Sequence, residues 1–279
     1  MEGEAAKNEE QQDRSRGGWL AAKVLGVAAE VTAKGALKAP VEGTSNLEEI
    51  DLNRPVMFVG THLTDVDIQI AVDRLYTLKG YEMVVANQTT QHKPKDFASK
   101  AISLVLDVMG RDRFYPLGWE WGREGKAQTV FKLDDYKKLK EQVFGRKRVL
   151  VVAGHNPTLD GKLAKNPGLA AAMVTQVAEG VQIVPVAVVL AGKAPDAYDL
   201  AGSIKRRGSQ NPRMVIGKVF SVDKKISDEE LGELERGFEG ELKRKLVGVL
   251  RETGGEIMRR LAELLPAEKR GVWGNQGKN

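Results

Sequence analysis

The stretch Val56-Met-Phe-Val59, followed after Gly60-Thr61 by His62-Leu-Thr-Asp-Val-Asp67, decides how this chain is read. Four consecutive apolar residues have the character of a short strand buried on both faces. The residues that follow then bring a histidine and a carboxylate to the C-terminal edge of that strand. An imidazole takes up a proton near neutral pH, and a carboxylate one helical turn away can hold the ring and stabilise the imidazolium. Such a pair activates a hydroxyl. The same residues also admit a plain structural role, because Thr64-x-x-Asp67 fits a helix start with Thr64 as N-cap and Asp67 as its third-residue acid.

Working outward, Ile68, Ile70, Val72 and Leu75 continue into a helix, which makes a β-turn-α unit. A second strand is expected over 81–86, a helix over 95–109, a loop over 117–122 and a helix over 133–143. Val149-Leu-Val-Val-Ala153 is another run of the type buried in a parallel sheet, and it ends in Gly154-His-Asn-Pro157. An Ala-rich helix over 168–178 precedes the buried strand 183–190, and a late strand is expected over 214–216. Strand and helix alternate, which predicts an α/β fold: a single domain with a mostly parallel central sheet flanked by helices. Ser227-Asp-Glu-Glu230 is a capping box opening one long C-terminal helix, with Gly254-Gly255 expected to break or kink it.

The termini divide the rest. Residues 1–16 are polar and read as a disordered tail. Leu20, Val24, Val27 and Val31 recur at helical spacing, so 17–40 read as an amphipathic N-terminal helix that packs on its own domain or, with Trp19 at one end, lies on a membrane surface. Residues 41–225 form the α/β domain, 226–265 the C-terminal helical segment and 266–279 a frayed tail.

Composition narrows the function. The chain has 279 residues, no cysteine and three histidines, which excludes thiolate chemistry and leaves little for a histidine-rich metal site; no metal is expected. No run reaches the length of a spanning helix, and the acidic N-terminus does not resemble a signal peptide. The net charge of +5 is clustered, with six basic residues against one acid between 137 and 148. Such clusters form a solvated face or meet anionic lipid headgroups. An aromatic content of 6%, without any zinc or RNA-recognition signature, argues against nucleic acid.

Taken together over residues 41–222, the motifs resemble the lysophospholipid and glycerol-phosphate acyltransferase (PlsC-like) family. The likeness is carried by Val41-Glu-Gly-Thr-Ser-Asn-Leu47, by Pro55-Val-Met-Phe-Val-Gly-Thr-His-Leu-Thr-Asp-Val-Asp67, by the block from Val149 to Leu163, and by Gly180-Val-Gln-Ile-Val-Pro-Val-Ala187 with Met214-Val-Ile-Gly-Lys-Val219. The resemblance implies acyl transfer from acyl-CoA or acyl-carrier protein to a hydroxyl of a lysophospholipid or related lipid acceptor, with no bound cofactor. On it His62 is the general base, Asp67 its orienting carboxylate, and Thr64 a substrate-binding residue. The chain would be cytoplasmic and peripheral on the inner face of an anionic membrane.

Two departures stand out. Where the family has Pro-Glu-Gly-Thr-Arg, this chain has Ala153-Gly-His-Asn-Pro157, and proline offers no donor to a phosphate. His155, Asn156 and Thr158 are then candidates to recognise a different, neutral headgroup; alternatively Asn156-Pro157 and Asp160-Gly161 only make a turn. The family's arginine block is poorly matched too, with Arg111 and Arg113 the nearest candidates to contact a phosphate or CoA. Loss of the acceptor residues keeps open a second class of function, a lipid- or acyl-binding protein without turnover. Passage of the acyl group to water is a third.

Overall fold

The computed structural model describes residues 40–61, 67–88, 114–117, 119–120, 130–131, 133–154, 162–165, 168–189, 213–236 and 240–275. The expected N-terminal amphipathic helix and the helix over 95–109 lie outside them. Along the chain come β1 (Val41–Glu42), a 3-10 turn (Thr44–Glu49), β2 (Val56–Gly60), α1 (Asp67–Lys79), β3 (Met83–Gln88), β4 (Phe114–Leu117), β5 (Trp119–Glu120), β6 (Val130–Phe131) and α2 (Leu133–Gln142). They are followed by β7 (Val149–Ala153), α3 (Leu169–Val177), β8 (Gln182–Val189), β9 (Arg213–Ile216), β10 (Phe220–Ser221), α4 (Asp228–Arg236) and α5 (Gly240–Glu263).

Seven strands follow one another in the order β1-β9-β8-β2-β7-β3-β4, with β10 also paired to β8. The five central and right-hand strands, β8, β2, β7, β3 and β4, are all parallel. The expected mostly parallel α/β sheet is therefore present, and the late strand β9 departs from it by running antiparallel to β8. Pro185 sits mid-strand in β8, where a missing N–H ought to cost a ladder bond. The register explains its place: Ile183 faces Phe220 while Val186 faces Ile216, so one extra residue bulges between β9 and β10 at the proline, and Gly217 N donates to Pro185 O at 2.8 Å.

Alternation along each buried strand sends side chains to two cores. Met57, Val59, Leu150, Val152 and Ile183 face α2, α3, α4 and α5, whereas Phe58, Val151, Val184 and Val186 face Ala71 and Leu75 of α1. The domain is three layers, helix, sheet, helix. The crossover from β2 to β3 runs towards β4 with α1 on one face. That from β7 to β8 runs the opposite way with α3 on the other face, as right-handed connections require.

Three local expectations change. Residues 117–122 were expected as loop, yet Trp119–Glu120 form β5, paired antiparallel with β6; β4, just before them, pairs with β3, and Pro116 is tolerated there because β4 is an edge strand of the path. The C-terminal segment contains two helices, α4 ending at Arg236 and α5 beginning at Gly240, where φ is 71°, and Gly254-Gly255 lie inside α5. Two glycines cost a helix about 1 kcal/mol each relative to alanine. Burial of Leu250, Ile257, Met258 and Leu261 along one face is worth roughly 1.5–3 kcal/mol per side chain, which outweighs that cost. The expected tail after Pro266 instead contains 3-10 turns at Ala267–Lys269 and Gly271–Asn275. The capping box forms as the sequence predicts, with Ser227 N donating to Glu230 Oε2 at 2.9 Å and Glu230 N to Ser227 Oγ at 3.2 Å.

Candidate functional site at the strand switch point

In open α/β sheets the ligand crevice lies beyond the carboxyl ends of two adjacent parallel strands whose following helices go to opposite faces. Here that pair is β2 and β7. They are in register with Gly60 opposite Ala153, and their helices α1 and α3 pack in the two different cores. Thr61 and Gly154, the residues that precede His62 and His155, therefore stand side by side at this edge, joined by Gly154 N donating to Gly60 O at 2.8 Å.

The end of β2 is fixed by Thr61, only 1% exposed. Its N–H donates to Val186 O at 2.9 Å, and its Oγ1 accepts from Val188 N at 3.1 Å. Both bonds extend the β2–β8 ladder beyond the strand, so the chain reaches His62 from a rigid, buried anchor. Thr61 was not singled out in the sequence, because a threonine between a strand and a turn carries no signal of the neighbour it will bond.

The end of β7 is fixed from further away. A Cβ on Gly154 would lie 2.5 Å from Leu261 Cδ1 and 3.2 Å from Val59 Cγ1, so α5 closes directly over a residue that has to be small. A Cβ on Gly168 would lie 2.7 Å from Gly154 O, so the segment between them begins and ends at one place. Its later part is strapped to the C-terminal turns: Leu163 N donates to Lys269 O at 2.9 Å, and Trp273 Nε1 to Ala164 O at 2.8 Å.

Of the residues singled out, Asp67 is the first residue of α1, at this same end of the sheet, and its side chain is not described. His62, Thr64, Arg111, Arg113, His155, Asn156 and Thr158 lie outside the described residues. Among the described residues no group of three His, Cys, Asp or Glu is placed to hold a metal ion, and no helix is long and apolar enough to cross a membrane. What fold and strand order define is thus a class: an open α/β protein with its topological switch point between β2 and β7. Compared with protein-family models and with curated proteins, the chain matches none.

Proposed function

We propose that the chain is an O-acyltransferase that moves an acyl group from acyl-CoA or acyl-carrier protein to a hydroxyl of a lysophospholipid or related lipid. The observation that carries this reading is the placement of the two candidate blocks. His62-Leu-Thr-Asp-Val-Asp67 and Gly154-His-Asn-Pro157 issue from neighbouring strand ends at the switch point, 93 residues apart in sequence between His62 and His155.

In the proposed reaction His62 removes the proton of the acceptor hydroxyl as its oxygen attacks the thioester carbonyl, and Asp67 orients the imidazole. The tetrahedral oxyanion is stabilised by backbone amides near Gly60 to Thr64. Collapse breaks the C–S bond, and the imidazolium returns its proton to the leaving thiolate. Atoms and charge balance without an added oxidant or metal. The acceptor is bound after β7 by His155, Asn156 and Thr158, with Thr64 and the arginines Arg111 and Arg113 contributing to substrate binding. The protein works on the anionic inner face of a membrane, its basic clusters supplying the attraction.

Thiol release from a panel of acyl-CoA and acyl-carrier protein donors, with varied lyso-acceptors and with water alone, tests this. Release that needs an acceptor and vanishes in His62→Ala is the expected result. The missing acceptor glutamate and arginine favour one rival, a lipid- or acyl-binding protein without turnover. Absence of any His62-dependent release would shift the reading to that rival.

A further inference from the structure

A groove of about 670 Å³ lies between residues 162–165 of the segment after β7 and the C-terminal turns. Its size falls within the range of small-molecule sites, roughly 300–1,000 Å³. Three cations line it, Lys162, Lys165 and Arg270, against one carboxylate, Glu268. Leu163, which is buried, and Val272, which is 46% exposed, add an apolar strip beside the charges.

The groove is held in shape rather than assembled from loose surface. Leu163 N and Trp273 Nε1 tie its two walls together through Lys269 O and Ala164 O. Arg270 Nε donates to Leu265 O at 2.8 Å, so a carbonyl just after α5 is satisfied and the guanidinium is held at the groove. A planar guanidinium held in this way loses little freedom when it meets an oxyanion, and two lysines add positive charge beside it. Their combined field attracts an anion, while the apolar strip suits the carbon portion of the same molecule.

We propose that this groove is a subsite for a phosphate group on an amphiphilic substrate, a role that rests on the acyl-transfer reading for the identity of that substrate. Its positive charge comes from Lys162, Lys165 and Arg270. Inorganic phosphate is the first probe, titrated into the full chain at low salt. Wild type is expected to bind saturably, and Lys162→Glu with Lys165→Glu to weaken binding by at least about tenfold. Both lysines are exposed, and far-UV circular dichroism without ligand checks that the variant remains folded. Lys165→Gln alone provides a milder version of the same test. Competition distinguishes the source: displacement by glycerol 3-phosphate marks an acceptor headgroup, and displacement by adenosine 3′,5′-bisphosphate marks the nucleotide end of the thioester donor. Absence of saturable phosphate binding, or equal binding by wild type and both variants, overturns the subsite. His62-dependent thiol release alongside that result leaves acyl transfer standing without the subsite; charge-dependent phosphate binding without thiol release does the reverse.

Discussion

The chain leaves β2 and β7 side by side, yet the two ends are secured by different means. After β2, the anchor is Thr61, bonded to the adjoining strand β8 through its backbone amide and its side-chain hydroxyl. After β7, the anchors come from more than a hundred residues away, Leu261 over Gly154 and Trp273 on Ala164. One side of the switch point is therefore an extension of the sheet. The other depends on the C-terminal helix and turns being docked, so the two sides should respond separately to damage.

The largest effect expected is from Leu261→Ala. This side chain is fully buried over the end of β7, and its loss should cost about 2–5 kcal/mol in denaturant unfolding. Hydrogen exchange should accelerate at Gly154 N more than at Thr61 N; equal acceleration at both would erase the distinction. Next comes Gly154→Ala, whose added methyl meets Leu261 in a filled core and should cost about 1–3 kcal/mol. In the Leu261→Ala background that penalty should shrink, and strictly additive losses would show that the two residues do not press on each other.

Trp273→Phe keeps the packing but removes the donor to Ala164 O, for a loss of roughly 0.5–1.5 kcal/mol. Its sharper readout is faster exchange of the Leu163 amide, with the β2 side unchanged. The smallest effect belongs to the cap of α4, far simpler in origin. The Lys245 ammonium and then the Ser227 amide hold the Glu230 carboxyl below the usual glutamate range. A depressed folded value means that the stabilisation is full above the ordinary range and is lost as the pH falls through the folded value. Glu230→Gln should flatten the acid side of the stability profile slightly, and an unchanged profile would show that the cap does not contribute.

Legibility follows the same division. The buried strands β2, β7 and β8 are readable because continuous apolar runs have few other destinations, and the cap of α4 because its two bonds span only three residues. Strand β4 was missed because its four residues include Pro116, which reads as punctuation until the strand is known to lie at an edge. Gly254-Gly255 misled for a related reason: local propensity favours a break there, and burial of the flanking side chains prevents it.

By itself the sequence determined the α/β class, the run of buried strands and the order of the two candidate blocks, since each depends on neighbours within a few positions. Only the tertiary structure decided that β2 and β7 lie adjacent, that β9 runs backwards, and that Leu261 and Trp273 close over the segment after β7. Hydropathy fixes which residues are buried, but strand partners and distant packing contacts are chosen by how several buried faces fit together at once.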